Sequence, residues 1–212
     1  MTKTEQGERQ LHMIINALRF TGADSGPCVL GAPIFAYYGE IHIGTLDPVP
    51  VSRGGTEVRI QYYTPSTDAG SRDLQKLRIG RVLLLELVAF MATHFSSVSV
   101  ISFILNRDIE GYGNGIRLAG SRSALLQSIG AEHIVITPKP KGERAGHFVV
   151  AAFWQYNVAN LTALNAATQA EWAGFREREA AALTGKAPRA NSWLRRFLAQ
   201  RARAAGGRRP RR

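Results

Sequence analysis

The feature that most constrains the fold is an apolar run, Val82–Leu105, in which Glu86 and His94 are the ionisable residues. Its length would allow a membrane span. However, the run is rich in leucine before Ser96, whereas Val98–Leu105 is rich in β-branched residues. This change of residue type favours a buried helix followed by a buried strand, since β-branched side chains prefer strands. We therefore predict a soluble domain built around a helix–strand pair.

Periodic patterns on both sides of this run predict the remaining elements. Strand patterns alternate apolar and polar residues, and helix patterns place apolar residues three or four positions apart. The predicted helices are Glu8–Phe20, Asp73–His94, Ile116–Ile129 (closed by Gly130) and Asn160–Leu183. The predicted strands are Cys28–Tyr38, Glu40–Leu46 (stopped by Pro48 and Pro50), Glu57–Tyr63, Val98–Leu105, His133–Thr137 and His147–Tyr156. This order implies a mixed sheet with helices on its faces, an α/β (α+β) fold.

Positive charge is concentrated at the C-terminus. The net charge is +11, and residues 176–212 hold twelve Lys and Arg against Glu177 and Glu179, a net charge of +10. We therefore predict a near-neutral domain (1–158), an amphipathic helix (159–184) packed on it or extending from it, and a basic, partly disordered tail (185–212). The apolar stripe of that helix is predicted to contain Leu161, Leu164, Thr168, Trp172 and Phe175.

The basic tail has three interpretations. Its Arg195–Arg212 segment could bind the phosphates of a nucleic acid. An amphipathic helix around Trp193 could lie on an anionic membrane. The tail could also be a solubilising or targeting extension, for example for nuclear import.

Cysteine and histidine usage argues against disulfides and metal sites. Cys28 is the single cysteine, and the polar N-terminus has no signal-peptide pattern, so we expect a cytoplasmic protein. The histidines at positions 42, 94, 133 and 147 lack metal-ligand spacing. We therefore predict no metal site.

The segment Gln75-Lys76-Leu77-Arg78-Ile79-Gly80 precedes the leucine-rich helix and continues into Arg81. It resembles the Q/R-x-x-G-x-G/A loop of the GNAT superfamily of N-acetyltransferases, with Arg78 in place of the middle glycine. The resemblance implies a GNAT-like, mostly antiparallel mixed sheet flanked by helices, with a C-terminal helical extension. It also implies that Gln75, Lys76, Arg78, Ile79, Gly80 and Arg81 bind the diphosphate of acetyl-CoA, because backbone N–H groups at a helix start form an anion site.

A second similarity follows the Val98–Leu105 strand. Asn106 and the run Ser123–Ala131 resemble the asparagine and the short helix that follow this strand in the family, which makes Asn106 a further expected cofactor contact. About ten additional, glycine-rich residues lie between them. Many family members have a tyrosine in that helix as general acid; Leu125 and Leu126 stand there, and Tyr112 of the inserted loop is the substitute that we predict.

Acetyl transfer to an amine also needs a base. Glu57 is the predicted base, directly or through a water, and its same-face neighbours Arg59, Gln61 and Tyr63 could line an acceptor cleft. The other interpretation is that these residues form the solvent side of an amphipathic strand. Glu86, inside the apolar helix, is interpreted either as a carboxyl with a raised pKa or as the partner of an arginine such as Arg81 or Arg122.

Three functions are consistent with these patterns. The leading one is an acetyl-CoA-dependent N-acetyltransferase acting on an amine of a protein or small molecule. The second is a catalytically degenerate GNAT-fold module that binds nucleic acid or a protein partner through its Arg-rich C-terminus. The third is an unrelated α/β interaction protein whose order of elements matches by chance.

Overall fold

Seven strands form one mixed sheet in a computed structural model of the chain, which describes residues 18–51, 54–106, 115–138 and 148–183. The strands within these ranges are β1 (Leu18–Thr21), β2 (Ile34–Tyr38), β3 (Ile41–Pro50), β4 (Glu57–Pro65), β5 (Val100–Asn106), β6 (Glu132–Pro138) and β7 (Phe148–Gln155). The α-helices are α1 (Ala69–Lys76), α2 (Ile79–His94), α3 (Gly115–Ser128) and α4 (Val158–Leu183).

The sheet is antiparallel except at its centre. Its strand order is β1-β2-β3-β4-β5-β7-β6, and β4 and β5 form the one parallel pair among these strands. A parallel pair requires a crossover connection, which α1 and α2 supply. The predicted fold class, a mostly antiparallel mixed sheet flanked by helices, is confirmed.

Alternation along the central strands separates two faces of the sheet. One face carries buried apolar side chains from four strands, including Ile60, Phe103 and Trp154. Helices α2 and α3 pack on this face: Tyr156 donates a hydrogen bond to the Val88 carbonyl at 2.6 Å, and Trp154 Nε1 donates to the Ile129 carbonyl at 2.6 Å. The core therefore lies between the sheet and the helices.

The prediction of a buried helix followed by a buried strand is correct. Helix α2 is buried along most of its length through residues such as Val82, Leu85 and Met91, and β5 buries Ile101 and Phe103. Within the described residues, no helix has the length and apolar character required to cross a membrane.

The C-terminal helix α4 packs on α2 and on β2. Trp172 and Phe175 are buried, and both rings contact the ring of Tyr38 in β2, with centroids 6.2 and 5.5 Å apart. The Tyr38 hydroxyl also donates a 3.0 Å hydrogen bond to Glu179. Leu161 of the predicted stripe is exposed, so the buried stripe begins later, at Leu164.

Three predicted boundaries are wrong near the N-terminal half of the sheet. Residues 18–20, the end of the predicted first helix, belong to strand β1 (Leu18–Thr21); the rest of that prediction lies outside the described residues. The strand predicted from Cys28 begins only at Ile34. The prolines do not stop β3, which reaches Pro50 because a register shift between Asp47 and Pro48 accommodates them as a bulge.

The predicted helix Asp73–His94 is two helices. Helix α1 ends at Lys76 and α2 begins at Ile79, because Arg78 adopts left-handed backbone angles of φ 65° and ψ 33°. A right-handed helix cannot continue through such a residue. The turn at Gly130 was predicted correctly: its φ of 80° is the left-handed conformation that glycine favours after a helix.

Candidate acyl-donor site at the start of helix α2

The junction between α1 and α2 presents free backbone donors. The N–H groups of Leu77 and Arg78 bond back to the carbonyls of Asp73 and Gln75 in α1. The N–H groups of Ile79 and Gly80 donate to no acceptor among the described residues. Unpaired donors at a helix start, aligned with the positive end of the helix dipole, form an anion-binding site.

The space in front of Gly80 is open. Gly80 is exposed, and a β-carbon added to it would meet no atom within 4 Å. The helix mouth is therefore not closed by side chains at this residue. A ligand can approach the backbone here because glycine has no side chain to prevent it.

Three predicted cofactor residues have partners within the protein. Gln75 donates to the Ser66 carbonyl and to Ser71 Oγ. Lys76 pairs with the nearly buried Asp73 at 2.8 Å. Arg81 joins three helices: it donates to Ser121 Oγ of α3 at 2.8 Å and pairs with Glu171 of α4 at 2.5 Å.

Arg78 differs from these residues. It is exposed, and its guanidinium forms no hydrogen bond or ion pair with the residues that the structure describes. Its left-handed backbone is the conformation that glycine adopts without strain, and glycine is what the GNAT pattern has at this position. Arg78 therefore places a cationic side chain at a backbone position that glycine would adopt without strain.

A third arginine reaches the junction from α4. Arg178 Nε donates to the Leu77 carbonyl at 2.8 Å, and its Nη2 atom is buried without a partner within the described part of the chain. Burial lowers the pKa of Arg178, and the positive charges of Arg78 and Arg81 lower it further, against the opposing effect of Glu171. We call Arg78, Arg81 and Arg178 the arginine cluster; mutual repulsion within it favours an anion.

The pairing between strands β4 and β5 ends before either strand does. Their parallel pairing runs from Glu57–Val100 to Ile60–Phe103, whereas β4 continues to Pro65 and β5 to Asn106. The outer edges of both strands remain paired, with β3 and β7. The sheet therefore has a gap in its pairing between two anchored strands, beyond Ile60 and Phe103.

The other predicted site residues are spread over the fold. Glu57 is the first residue of β4, about 10 Å before the last paired residue of that strand at 3.3 Å per residue. Asn106 is the last residue of β5, at the gap, and its side chain lies outside the described part of the structure. Tyr112 also lies outside the described residues. The Tyr63 hydroxyl donates to the Ile43 carbonyl at 2.8 Å and so has a structural role.

Glu86 has neither of its predicted arginine partners. Its carboxylate accepts a 2.6 Å hydrogen bond from Trp172 Nε1, while Arg122 donates to the Leu105 carbonyl. Burial raises the pKa of Glu86, and the hydrogen bond from Trp172 opposes that effect. The prediction of a raised pKa is thus correct in direction. Among the described residues, no group of three or more His, Cys, Asp or Glu side chains is arranged to hold a metal.

Arg178 and Glu171 were not identified from the sequence. Both lie on α4, outside the part of the chain that resembles the GNAT pattern. Their spacing contained a usable signal, because residues 171 and 178 are seven apart and border the stripe of Trp172 and Phe175. Charged residues at the edge of a buried stripe lie at the boundary of the helix interface.

Comparisons with known proteins find similarity in solved structures. No family model and no curated protein matches the chain. A GNAT family acetyltransferase from Elizabethkingia anophelis with acetyl-CoA bound matches 66% of this chain and 99% of its own, with 10% identity and a TM-score of 0.42. The N-terminal domain of a ribosomal-protein-alanine acetyltransferase from Clostridium acetobutylicum matches 68% and 95%, with 9% identity and a TM-score of 0.38.

A spermidine/spermine N-acetyltransferase from Vibrio cholerae covers 76% of this chain and 76% of its own, with 11% identity and a TM-score of 0.41. All three identities are low. The chain is thus similar to solved acetyltransferase structures, one of them from a GNAT family acetyltransferase.

Proposed function

We propose that this chain binds acetyl-CoA at the start of α2 and transfers its acetyl group to an amine. The observation that carries the proposal is the combination of unpaired N–H groups at Ile79 and Gly80 with open space in front of Gly80. The arginine cluster lies at the same junction. A diphosphate matches both features, since it accepts hydrogen bonds and carries negative charge.

The gap between β4 and β5 supports the same proposal. Beyond Ile60, β4 is not paired with β5, so an extended ligand arm and a carbonyl to be polarised fit between the two strands. When bound, acetyl-CoA supplies a thioester whose C–S bond breaks as the amine forms the new C–N bond. Glu57 is the proposed acceptor of the amine proton, and Tyr112 is the proposed donor to the leaving thiolate.

Calorimetric titration of the full chain with acetyl-CoA tests this proposal. We expect binding, and we expect much weaker binding of S-acetylpantetheine, which lacks the diphosphate. Absence of binding at millimolar acetyl-CoA would overturn the proposal. Equal affinity for the two ligands would contradict the assigned diphosphate site.

A second candidate function rests on the charge distribution. Residues 176–212 carry +10 of the net charge of +11, which favours a nucleic-acid or acidic protein partner for the Arg195–Arg212 segment. A variant ending at residue 184 separates the two functions. We expect it to keep acetyl-CoA binding and to lose salt-dependent binding to duplex DNA; unchanged DNA binding would contradict the role of the tail.

A further inference from the structure

The C-terminal helix α4 reaches the break between α1 and α2 through Arg178. The break consists of Leu77 and Arg78, between the end of one helix and the start of the next. In a continuous helix the Arg81 N–H would donate to the carbonyl of Leu77, four residues earlier. It donates instead to the Arg78 carbonyl at 3.2 Å. The break therefore takes the helical donor away from the Leu77 carbonyl, and Arg178 Nε supplies another donor at 2.8 Å.

A guanidinium is well suited to this carbonyl. The last carbonyls of a helix carry the negative end of its dipole, and a cation that donates to them stabilises the helix end. Arg178 is half-buried, so water competes for this hydrogen bond less than it would at an exposed site. The contact therefore stabilises the end of α1 at Leu77, where the break begins.

Gly174 provides the space in which the Arg178 guanidinium lies. The two residues are one turn apart on α4, and a β-carbon added to Gly174 would lie 3.1 Å from Arg178 Nη1. A methyl group at position 174 would therefore displace the guanidinium. Glycine destabilises the interior of a helix relative to alanine. Its lack of a side chain here is what allows Arg178 to reach Leu77.

Other contacts hold α4 in place on both sides of Arg178. Trp172 donates to Glu86 of α2, and its ring contacts the ring of Tyr38 in β2. The Tyr38 hydroxyl donates to Glu179, one residue beyond Arg178. These contacts do not involve the guanidinium, so a substitution of Arg178 changes the junction without removing the anchors of the helix.

The broken and the continuous form of this helix pair differ in the donors that they leave free. In the continuous form, the N–H groups of Ile79 and Gly80 would each donate to the carbonyl four residues earlier. In the structure the Arg78 N–H occupies the Gln75 carbonyl at 2.9 Å instead. The Ile79 and Gly80 N–H groups thus stay free of acceptors within the described part of the chain. Because the apolar periodicity predicts the continuous form, contacts from outside the two helices must favour the break.

We propose that Arg178 is a positioning residue that holds the junction between α1 and α2 in the broken form. By donating to the Leu77 carbonyl, it favours the form in which the Ile79 and Gly80 N–H groups are free for an anion. Helix α4 thereby sets the fraction of the protein that is competent to bind, and apparent affinity falls with that fraction. The diphosphate of acetyl-CoA as the anion rests on the proposed function; control of the junction by α4 does not.

NMR of the full chain tests this control without a ligand. The backbone carbon chemical shifts of Arg78 differ between the left-handed and the helical conformation, so they report the two populations. Arg178→Met should move these shifts towards helical values, and Arg178→Lys, which keeps a charged donor, should restore most of the wild-type shifts. Arg176→Met removes an exposed arginine from the same helix. It is the matched control and should leave the shifts unchanged.

Gly174→Ala separates positioning from charge. The variant keeps every charge and has a higher helix propensity, so its stability should be retained or raised. Its methyl group should nevertheless displace the Arg178 guanidinium and move the Arg78 shifts in the same direction as Arg178→Met does. Gly120→Ala is the control, because a β-carbon added there meets no atom within 4 Å. Wild-type Arg78 shifts in both Gly174→Ala and Arg178→Met would overturn the proposal.

Calorimetric titration of the same variants with acetyl-CoA tests the consequence for binding. Arg178→Met should bind about tenfold more weakly, the factor expected for loss of a hydrogen bond from a charged group. This loss should match the fall in the left-handed population of Arg78. Weaker binding with unchanged shifts would mean that Arg178 acts through its charge alone, and changed shifts with wild-type affinity would mean that the break does not control binding; either result overturns the proposal. A wild-type protein that does not bind acetyl-CoA, with shifts that respond as expected, would overturn the acetyltransferase function alone.

Discussion

Trp172 of α4 donates its indole N–H to the Glu86 carboxylate of α2 at 2.6 Å. The contact is half-buried and joins two residues that are 86 positions apart in the sequence. The contact places an acid in the interface on which the C-terminal helix depends. Stability of that interface therefore depends on the protonation of Glu86.

Stability should fall with rising pH through Glu86. Burial raises the pKa of Glu86 above its ordinary value of 4.5, so the folded protein holds this proton more tightly than the unfolded chain. The contribution is therefore fully present below pH 4.5 and is lost as pH rises through the folded-state pKa. Urea unfolding should show that Glu86→Gln stabilises the protein at pH 7.5 and much less at pH 4.5. Glu40→Gln, at an exposed turn, is the control; the same pH-dependent gain there would refute the assignment.

Removing the indole donor should destabilise the fold through the same pair. Trp172→Phe keeps an aromatic ring but leaves the Glu86 carboxylate without its donor, at a cost of about 1–3 kcal/mol. The loss should be much smaller in a Glu86→Gln background, since a neutral amide tolerates the missing donor better than a carboxylate. A double-mutant cycle by chemical unfolding measures this coupling, and additive effects would contradict it.

Arg78→Gly should affect stability and affinity in opposite directions. Relief of the left-handed backbone should raise the free energy of unfolding by about 1 kcal/mol. Loss of a guanidinium from the arginine cluster should weaken acetyl-CoA binding about tenfold. Arg72→Gly, in the interior of α1, is the matched control and should lower stability by about 0.7–1 kcal/mol. Tighter acetyl-CoA binding by Arg78→Gly would show that Arg78 obstructs the site.

Gly80→Ala probes the open space at the mouth of α2. The added methyl group meets no protein atom within 4 Å, so folding should be unharmed or stabilised by about 0.5 kcal/mol. Acetyl-CoA affinity should nevertheless fall, because the methyl group occupies the approach to the N–H groups. Gly120→Ala in α3 is equally unhindered and serves as the control that keeps its affinity. Equal affinities in calorimetry would place the ligand elsewhere.

The predicted base is tested by kinetics. If Glu57 accepts the amine proton, Glu57→Gln should lower kcat by about 100-fold or more and leave acetyl-CoA binding unchanged. Asp68→Asn, an exposed carboxyl at the start of α1, is the control. A variant with undiminished kcat would exclude Glu57 as the base.

The sequence predicted the central helix and strand because their signal is local. The run Val82–Leu105 changes at Ser96 from leucine-rich to β-branched residues. A long apolar run of this kind has few stable structures other than a buried helix followed by a buried strand. The first turn of α2 was harder to predict. Only Arg78 breaks the helical pattern there, and arginine carries no sequence signal for a left-handed conformation. Strand β1 was missed because Leu18 and Phe20 fit a helical stripe as well as an alternating strand.

The candidate site was predictable in part. The pattern of residues 75–80 spans the junction between α1 and α2, since it depends on neighbours in sequence, although the apolar periodicity predicted one continuous helix there. Arg178 reaches that junction from 101 residues away. A local sequence pattern cannot predict a contact between residues that are so far apart in the sequence. Lys76 and Arg81 form ion pairs within the protein, and these pairs determine which cationic side chains remain available to a ligand. Such ion pairs depend on the tertiary fold.

Arg178 lies close to the C-terminal end of α4, after which the charged C-terminal segment begins. Helix α4 ends at Leu183, five residues beyond Arg178, which is about 7–8 Å along a helix at 1.5 Å per residue. The described end of α4 is therefore close to the residue that contacts Leu77 at the mouth of α2, and the predicted tail, residues 185–212, lies outside the described residues. A polyanion held by the tail would raise the local concentration of negative charge at that mouth, so it would compete with a nucleotide-bearing ligand. Binding of a polyanion to the tail should therefore weaken binding of the nucleotide-bearing ligand at the mouth of α2, and the reverse should also hold.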